Sequence, residues 1–392
     1  MAAATPPAET VAESAPRVRL AYLDGLRGLC ALFVVGGHTG NGGYFHDDGS
    51  FGSRLLVFFW NLLNYDRYAV AIFIILSSYC LMLPVARSAD GRLPGGVWEY
   101  LKRRARRILP PYYAALALSL LLLAALSGMK GRALTEFSPG AILSHLFLVH
   151  NLKSEWTFAI NGPMWSVATE WQIYFFFPAL LLPAWRSRGI GAAALIAFVL
   201  GYIPHFVFHK WLDPVAPWFL GLFALGMAGA VLGFDAAPRF RALRLRLPWG
   251  LLAAALSLAL GIAFLLKPER LPSYPLYLTE PFVGLAAVCL IVYCTRFLTD
   301  GVPAQRPAIL RLLESRPFVG LGAFSYSLYL THAPFLDLGK TLLKTLALSD
   351  TSKLLLLWFG IVPLCVLAAY LFYLPCERPF LSSHRKGRPL HS

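Results

Sequence analysis

Ten apolar runs long enough to cross a bilayer recur along the chain. They lie near residues 20–38, 68–86, 109–127, 164–183, 190–208, 215–233, 248–266, 278–298, 318–337 and 354–374, with charge concentrated between them. About 20 apolar residues in a helix match the ~30 Å hydrocarbon core. In lipid a helix also satisfies its own backbone polar groups. The pattern predicts an all-α, polytopic membrane protein of about ten transmembrane helices. Composition agrees: charged residues make up 14% of the 392 residues, and mean hydropathy is +0.60. An ordinary soluble domain carries roughly 25% charged residues.

An even number of spans puts both termini on one side, and charge sets which side. Segments on the terminal side hold 23 of the 35 Lys and Arg, including RRARR before Pro110 and RFRALRLR before Pro248; the opposite side holds 11. Counting acids, the terminal side is net +15 and the other side +1. By the positive-inside rule both termini are expected in the cytoplasm. The formal charge of +15 is thus a topology signal, and no nucleic-acid partner is implied.

Residues 1–17 are small, polar and Pro-containing, and read as a disordered tail with no basic signal-peptide start. A single membrane domain is expected over 18–380, followed by a basic cytoplasmic tail over 381–392. The loop from Ser127 to Pro163 contains AILSHLFLVH, too short to span and expected as an interfacial or re-entrant helix. The six cysteines form no CxxC pair, so neither a disulfide framework nor a metal site is expected.

Polar groups inside the apolar runs mark the places where chemistry is expected, because a charge in lipid needs a partner or a water-filled cavity. The first run carries Arg27 and, eleven residues on, His38. At ~1.5 Å rise per residue they fall on nearly one face, roughly 16 Å apart. Asp24 offers Arg27 a local pair on that face, and this reading and a functional one both stand. The fourth run carries Glu170, two turns below its expected outer end and so roughly level with His38, with Trp165, Gln172 and Tyr174 nearby. The ninth carries Tyr326, Tyr329 and His332, whose polar atoms could equally bond neighbouring helices. Lys102, Arg103, Arg104, Arg106 and Arg107 precede the third span, where they serve topology and anionic headgroups, or clamp a phosphate.

Taken in order, these segments resemble the acyltransferase-3 family of integral membrane O-acyltransferases. LDGLRGLCALFVVGGH is similar to the opening arginine-x10-histidine motif, here Arg27 and His38. IFIILSSY resembles the second-helix motif, and KRRARRILPPYY the basic motif, with Arg104 and Arg107 in its arginine-x-x-arginine positions. GPMWSVATEWQIYF places Glu170 at the motif acid, while FSYSLYLTHAPF and CERPF, with Glu377, resemble the last two signatures. Ser78, Trp171 and Thr331 depart from the usual glycine, second acid and aromatic.

The resemblance implies about ten helices and transfer of an acyl group, often acetyl from acetyl-CoA, to a hydroxyl. Family acceptors include surface polysaccharides, glycolipids and small natural products such as macrolides. No tightly bound cofactor is implied; acetyl-CoA or another acyl-CoA is a co-substrate entering from the cytosol, and the other partners are a hydroxyl-bearing acceptor and the lipid bilayer. The membrane would be the plasma membrane, or the inner membrane if the source is bacterial. On this reading His38 is the general base and Glu170 orients or stabilises its imidazolium. Arg104, Arg107 and Arg103 hold the CoA phosphates, and Arg27 lies on the thiol arm's path or at the oxyanion. Trp165, Tyr326, Tyr329 and His332 bind substrate or support the site. The competing expectations are a transporter or exporter using Arg27, His38 and Glu170 as a relay, or a non-catalytic scaffold in which these residues share no cavity.

Overall fold

A computed structural model describes residues 20–40, 49, 51–130, 138–266, 276–300 and 306–381. The tails expected at 1–17 and beyond Leu381 and residues 131–137 of the long loop lie outside the described residues. Among the described residues the secondary structure is helical, with no strand.

Helix α1 (Ala21–Thr39) is followed by a short α2 (Phe51–Leu63), then α3 (Asp66–Ala86) and the long α4 (Gly96–Lys130). Two short helices, α5 (Pro139–Leu146) and α6 (Ser154–Thr157), lead into α7 (Met164–Phe176), which continues through a π turn into α8 (Leu182–Arg188). Then come α9 (Ile190–Val207), α10 (Phe219–Phe234), α11 (Pro238–Arg246), α12 (Trp249–Leu266) and α13 (Leu276–Thr299). The last section holds α14 (Ala308–Leu313), α15 (Arg316–Ala323), α16 (Ser325–Thr345) and α17 (Asp350–Leu356), which passes through a second π turn into α18 (Val362–Cys376).

All ten apolar runs lie on helices, but fewer of those helices are apolar enough to count as spans. Among the described residues six segments are long and apolar enough to cross a membrane, or seven if α11 and α12, bent by 59° at their junction, form one span. Helices α1, α7 and α16 are not among the six. They carry Asp24, Arg27 and His38; Glu170 and Gln172; and His332, Asp337 and Lys340. Most of the polar groups that dilute these helices line the site described below.

Burial sorts the bundle into an inner and an outer layer. The span containing α10 is 72% buried and that containing α3 is 67% buried, whereas α9 and α17–α18 are 22% buried. The outer helices turn Leu195, Phe206, Phe359 and Leu364 outward, the composition expected of a lipid-facing surface. At the centre α10 lies against α3 so closely that a Cβ on Gly226 would sit 1.8 Å from Ser78 Oγ and 2.4 Å from the Ile75 carbonyl oxygen. Small residues allow such approach between membrane helices. Ser78, the departure from the second-helix motif, is accommodated because the facing position is glycine.

At three of the prolines inside helices the freed backbone carbonyl is filled from a distant element. Proline has no N–H to offer the residue four back, and an unfilled carbonyl in lipid is costly. Pro178 frees the Tyr174 carbonyl, which accepts from Tyr100 Oη at 3.2 Å. Pro281 frees that of Tyr277, which accepts from Tyr202 Oη. Pro334 frees that of Leu330, which accepts from Asn161 Nδ2 at 2.8 Å. The same Asn161 amide also donates to Ser119 Oγ at 2.9 Å. One side chain thereby ties the turn before α7 to α4 and α16.

The segment expected as interfacial or re-entrant forms the eight-residue α5, held against α4 where Tyr112 and Tyr113 donate to the carbonyls of His145 and Leu146. It does not span. The following chain dips inward, so that His150, Asn151 and Asn161 are buried and α7 begins with buried Met164 and Trp165.

Candidate active site

Three cavities lie in series through the bundle. The first is a basin of about 650 Å³ lined by Asp24, Arg27, Arg103, Arg104, Arg106, Arg107, Ser325, Glu377 and Leu381, close to both ends of the described chain. The second is a narrow central chamber with about 100 Å³ open to water-sized molecules, lined by Arg27, Ser77, Cys80, Arg104, Arg107, Ser166, Glu170, Tyr174, Ser325, Tyr326 and Tyr329. The third, at the far end of α1, holds about 490 Å³ and is lined by His38, Asn64, Asp66, Arg67, Trp165, Tyr329, Asp337 and Lys340. Arg27, Arg104, Arg107 and Ser325 belong to both the basin and the central chamber. Val70 and Tyr329 belong to both the central and far chambers.

Helix α1 threads all three. Its unbroken helical course keeps Arg27 and His38 near one face, at the ~16 Å separation that eleven residues of helix give. Arg27 donates to Asp24 Oδ1 and to Cys80 Sγ, each at 3.0 Å. It therefore makes the local pair with Asp24 and still lines two cavities. The pairing with Cys80 joins α1 to α3.

His38 stands beside a carboxylate, but a different one from that expected. Its Nε2 lies 3.2 Å from Asp66 Oδ2, at the start of α3. Glu170, expected level with His38, lines the central chamber and not the far one. There its Oε1 accepts from Tyr174 Oη at 2.6 Å, and the same hydroxyl pairs with Ser77 Oγ at 2.8 Å. The physical reason is the buried entry to α7: its first residues already lie inside the bundle, so Glu170 sits deeper than a count from the membrane surface predicts.

His332 is fully buried, and its ring meets that of His38 edge-on at 4.9 Å between centroids. Its Nδ1 donates to the Leu328 carbonyl at 3.1 Å, which leaves Nε2 as the lone-pair nitrogen in the neutral ring. Tyr329 shares a 2.6 Å hydrogen bond with Ser166 Oγ at the junction of the central and far chambers. Tyr326 donates to the Ile108 carbonyl at 3.2 Å, and Trp165 lies under the Arg67 guanidinium at 4.5 Å. Among the basic residues, Arg103 donates to the Pro94 carbonyl at 2.8 Å, while Arg104 and Arg107 reach the central chamber.

Residues that sequence reasoning missed are Asp66, Arg67 and Glu280. Asp66 and Arg67 sit just ahead of the apolar run at 68–86 and read as loop residues. Glu280 carried a usable signal, an acid two residues into an apolar run.

The fold and this path define a polytopic helical membrane protein with a polar passage from a basic basin to a histidine–carboxylate chamber. Residues 20–374 match a family model described as an acyltransferase domain, and the chain belongs to the acyltransferase-3 family of membrane acyltransferases. It is 26% identical over 355 residues to the acyltransferase MdmB of Streptomyces mycarofaciens, covering 84% of this chain and 82% of that protein. No solved structure matches the chain.

Proposed function

We propose that the protein transfers an acyl group, acetyl in the simplest case, from cytosolic acyl-CoA to a hydroxyl presented on the other side of the membrane. The reading takes the bundle as ten spans with both ends in the cytoplasm, the arrangement that the charge bias favours. It is carried by one observation: the three cavities share lining residues in sequence, from the arginine basin through Arg27 to His38. The basin's guanidiniums suit the phosphates of a nucleotide thioester. The narrow middle suits an extended thiol arm, and the wide far chamber a bulkier acceptor. Family membership favours acyl transfer over the exporter reading.

In this mechanism Asp66 accepts from His38 Nε2–H and holds the ring, which leaves Nδ1 as the basic nitrogen. Nδ1 takes the acceptor hydroxyl proton as the oxygen attacks the thioester carbonyl, then returns it to the departing CoA thiolate. The acceptor belongs to the class of carbohydrates, glycolipids or small hydroxylated natural products. Glu170 keeps a place in the donor's passage, with Tyr174 and Ser77 as its partners.

The test is purified protein in nanodiscs, given [14C]acetyl-CoA and a total extract of the producing cells, with CoA release and labelled products followed. The expected result is extract-dependent CoA release that His38→Ala abolishes without changing the protein's yield or melting. Near-wild-type turnover by His38→Ala, or no release by the wild type, overturns the reading.

A further inference from the structure

The far chamber is lined by a guanidinium that a buried carboxylate holds by one edge. Arg67 Nε donates to Glu280 Oε1 at 2.8 Å, and Glu280 has no exposed surface. The other carboxylate oxygen accepts from Trp218 Nε1. The guanidinium plane is stacked 4.5 Å over Trp165. Both edges of Glu280 are thus satisfied, and one edge of Arg67 is tied down. The pairing leaves the two terminal amino groups of Arg67, whose side chain is 26% exposed and lines the same chamber as His38. Arg67 also follows Asp66, the carboxylate against His38, so the two side chains leave one turn of α3 to serve one cavity.

On the acyl-transfer reading, we propose that Arg67 is the oxyanion-stabilising residue, held in place by Glu280. When the acceptor oxygen bonds to the thioester carbonyl carbon, the carbonyl π pair moves onto its oxygen, and that oxyanion accepts from the Arg67 amino groups. The pair returns as the carbon–sulfur bond breaks, and the thiolate takes the proton from His38. Arg27, the other arginine considered for this role, lines the basin and central chamber and is engaged by Asp24 and Cys80. Lys340 directs its ammonium to the His38 carbonyl oxygen. A donor fixed before the reaction needs no reorganisation as charge develops, the condition under which one donor is worth about 10²–10³ in kcat. Glu280 acts through Arg67 and is a positioning residue.

The experiment uses the nanodisc assay with acetyl-CoA and cell extract. Arg67→Ala should lower kcat about 100-fold or more with donor KM within threefold of wild type, and added guanidinium chloride should restore part of it. Glu280→Gln should lower kcat by a smaller factor, again at constant KM. If Arg67→Ala unfolds, Arg67→Lys carries the same test, because one ammonium cannot serve both Glu280 and the oxyanion. An Arg67 variant with kcat within threefold of wild type, or one whose loss lies in KM alone, overturns the inference. His38→Ala separates the two levels. If it is inactive while Arg67→Ala turns over normally, the acyl-transfer reading stands and this inference falls. If His38→Ala turns over normally, the reading itself falls.

Discussion

Replacing Asp66 by Asn removes a charge from His38 while keeping the side chain's shape. The contact is 3.2 Å long, and the His38 and Asp66 side chains are 29% and 21% exposed. At that separation a bare ion pair has a Coulomb ceiling of about 5 kcal/mol at an effective dielectric of ~20. Water reaching both groups screens much of it. The net worth of a hydrogen bond to a charged group, about 1.5–3 kcal/mol, is the better measure. If the imidazolium forms only in the transition state, that energy appears in kcat as a loss on the order of 10- to 100-fold. The amide can also turn its NH2 toward the ring and favour the wrong tautomer, which adds to the loss. The assay is steady-state CoA release in nanodiscs, with melting curves as the folding control. Asp66→Glu should recover part of the rate. An Asp66→Asn protein within threefold of wild-type kcat would refute the pairing as a working element. Glu170→Gln measured alongside tells which carboxylate serves His38.

Two further outcomes follow from the same geometry. The paired change Arg104→Ala with Arg107→Ala should raise the apparent KM for acyl-CoA tenfold or more and leave the acceptor KM nearly unchanged, read from initial rates with each substrate varied; unchanged donor affinity removes the phosphate role. Asn161→Ala should destabilise the protein by about 1 kcal/mol, in the range of interhelical hydrogen bonds in membranes, and Pro334→Ala should suppress part of that loss by returning an N–H to the Leu330 carbonyl; additive effects in the double-mutant cycle would contradict the clasp.

Much of this architecture is legible in the chain because lipid imposes simple rules. Each apolar run long enough to span lies on a helix, and Arg27, Arg104, Arg107, Tyr326 and Tyr329 reach connected cavities. What failed were inferences of depth and partnership. Counting from a helix end puts Glu170 level with His38, but the buried turn through Asn161 starts α7 inside the bundle. Asp66 lies at the edge of an apolar run, where hydropathy has no reason to distinguish a loop acid from one that faces a histidine 28 residues earlier. The union of Arg67 with Glu280, 213 residues apart, depends on how α3 and α13 pack and has no local signature. Conversely, α1, α7 and α16 look least like spans because they carry Asp24, Arg27, His38, Glu170, Asp337 and Lys340, which line the passage.

In the proposed function the acyl group crosses the bilayer, from a donor at the arginine basin to an acceptor at His38. Sealed, sidedness-selected proteoliposomes test it directly, with cell extract trapped on the His38 side and [14C]acetyl-CoA added on the basin side. Labelled product should accumulate inside while CoA appears outside, and neither should form with His38→Ala. Label appearing on acceptors on the donor's own side, with none reaching the lumen, would contradict it.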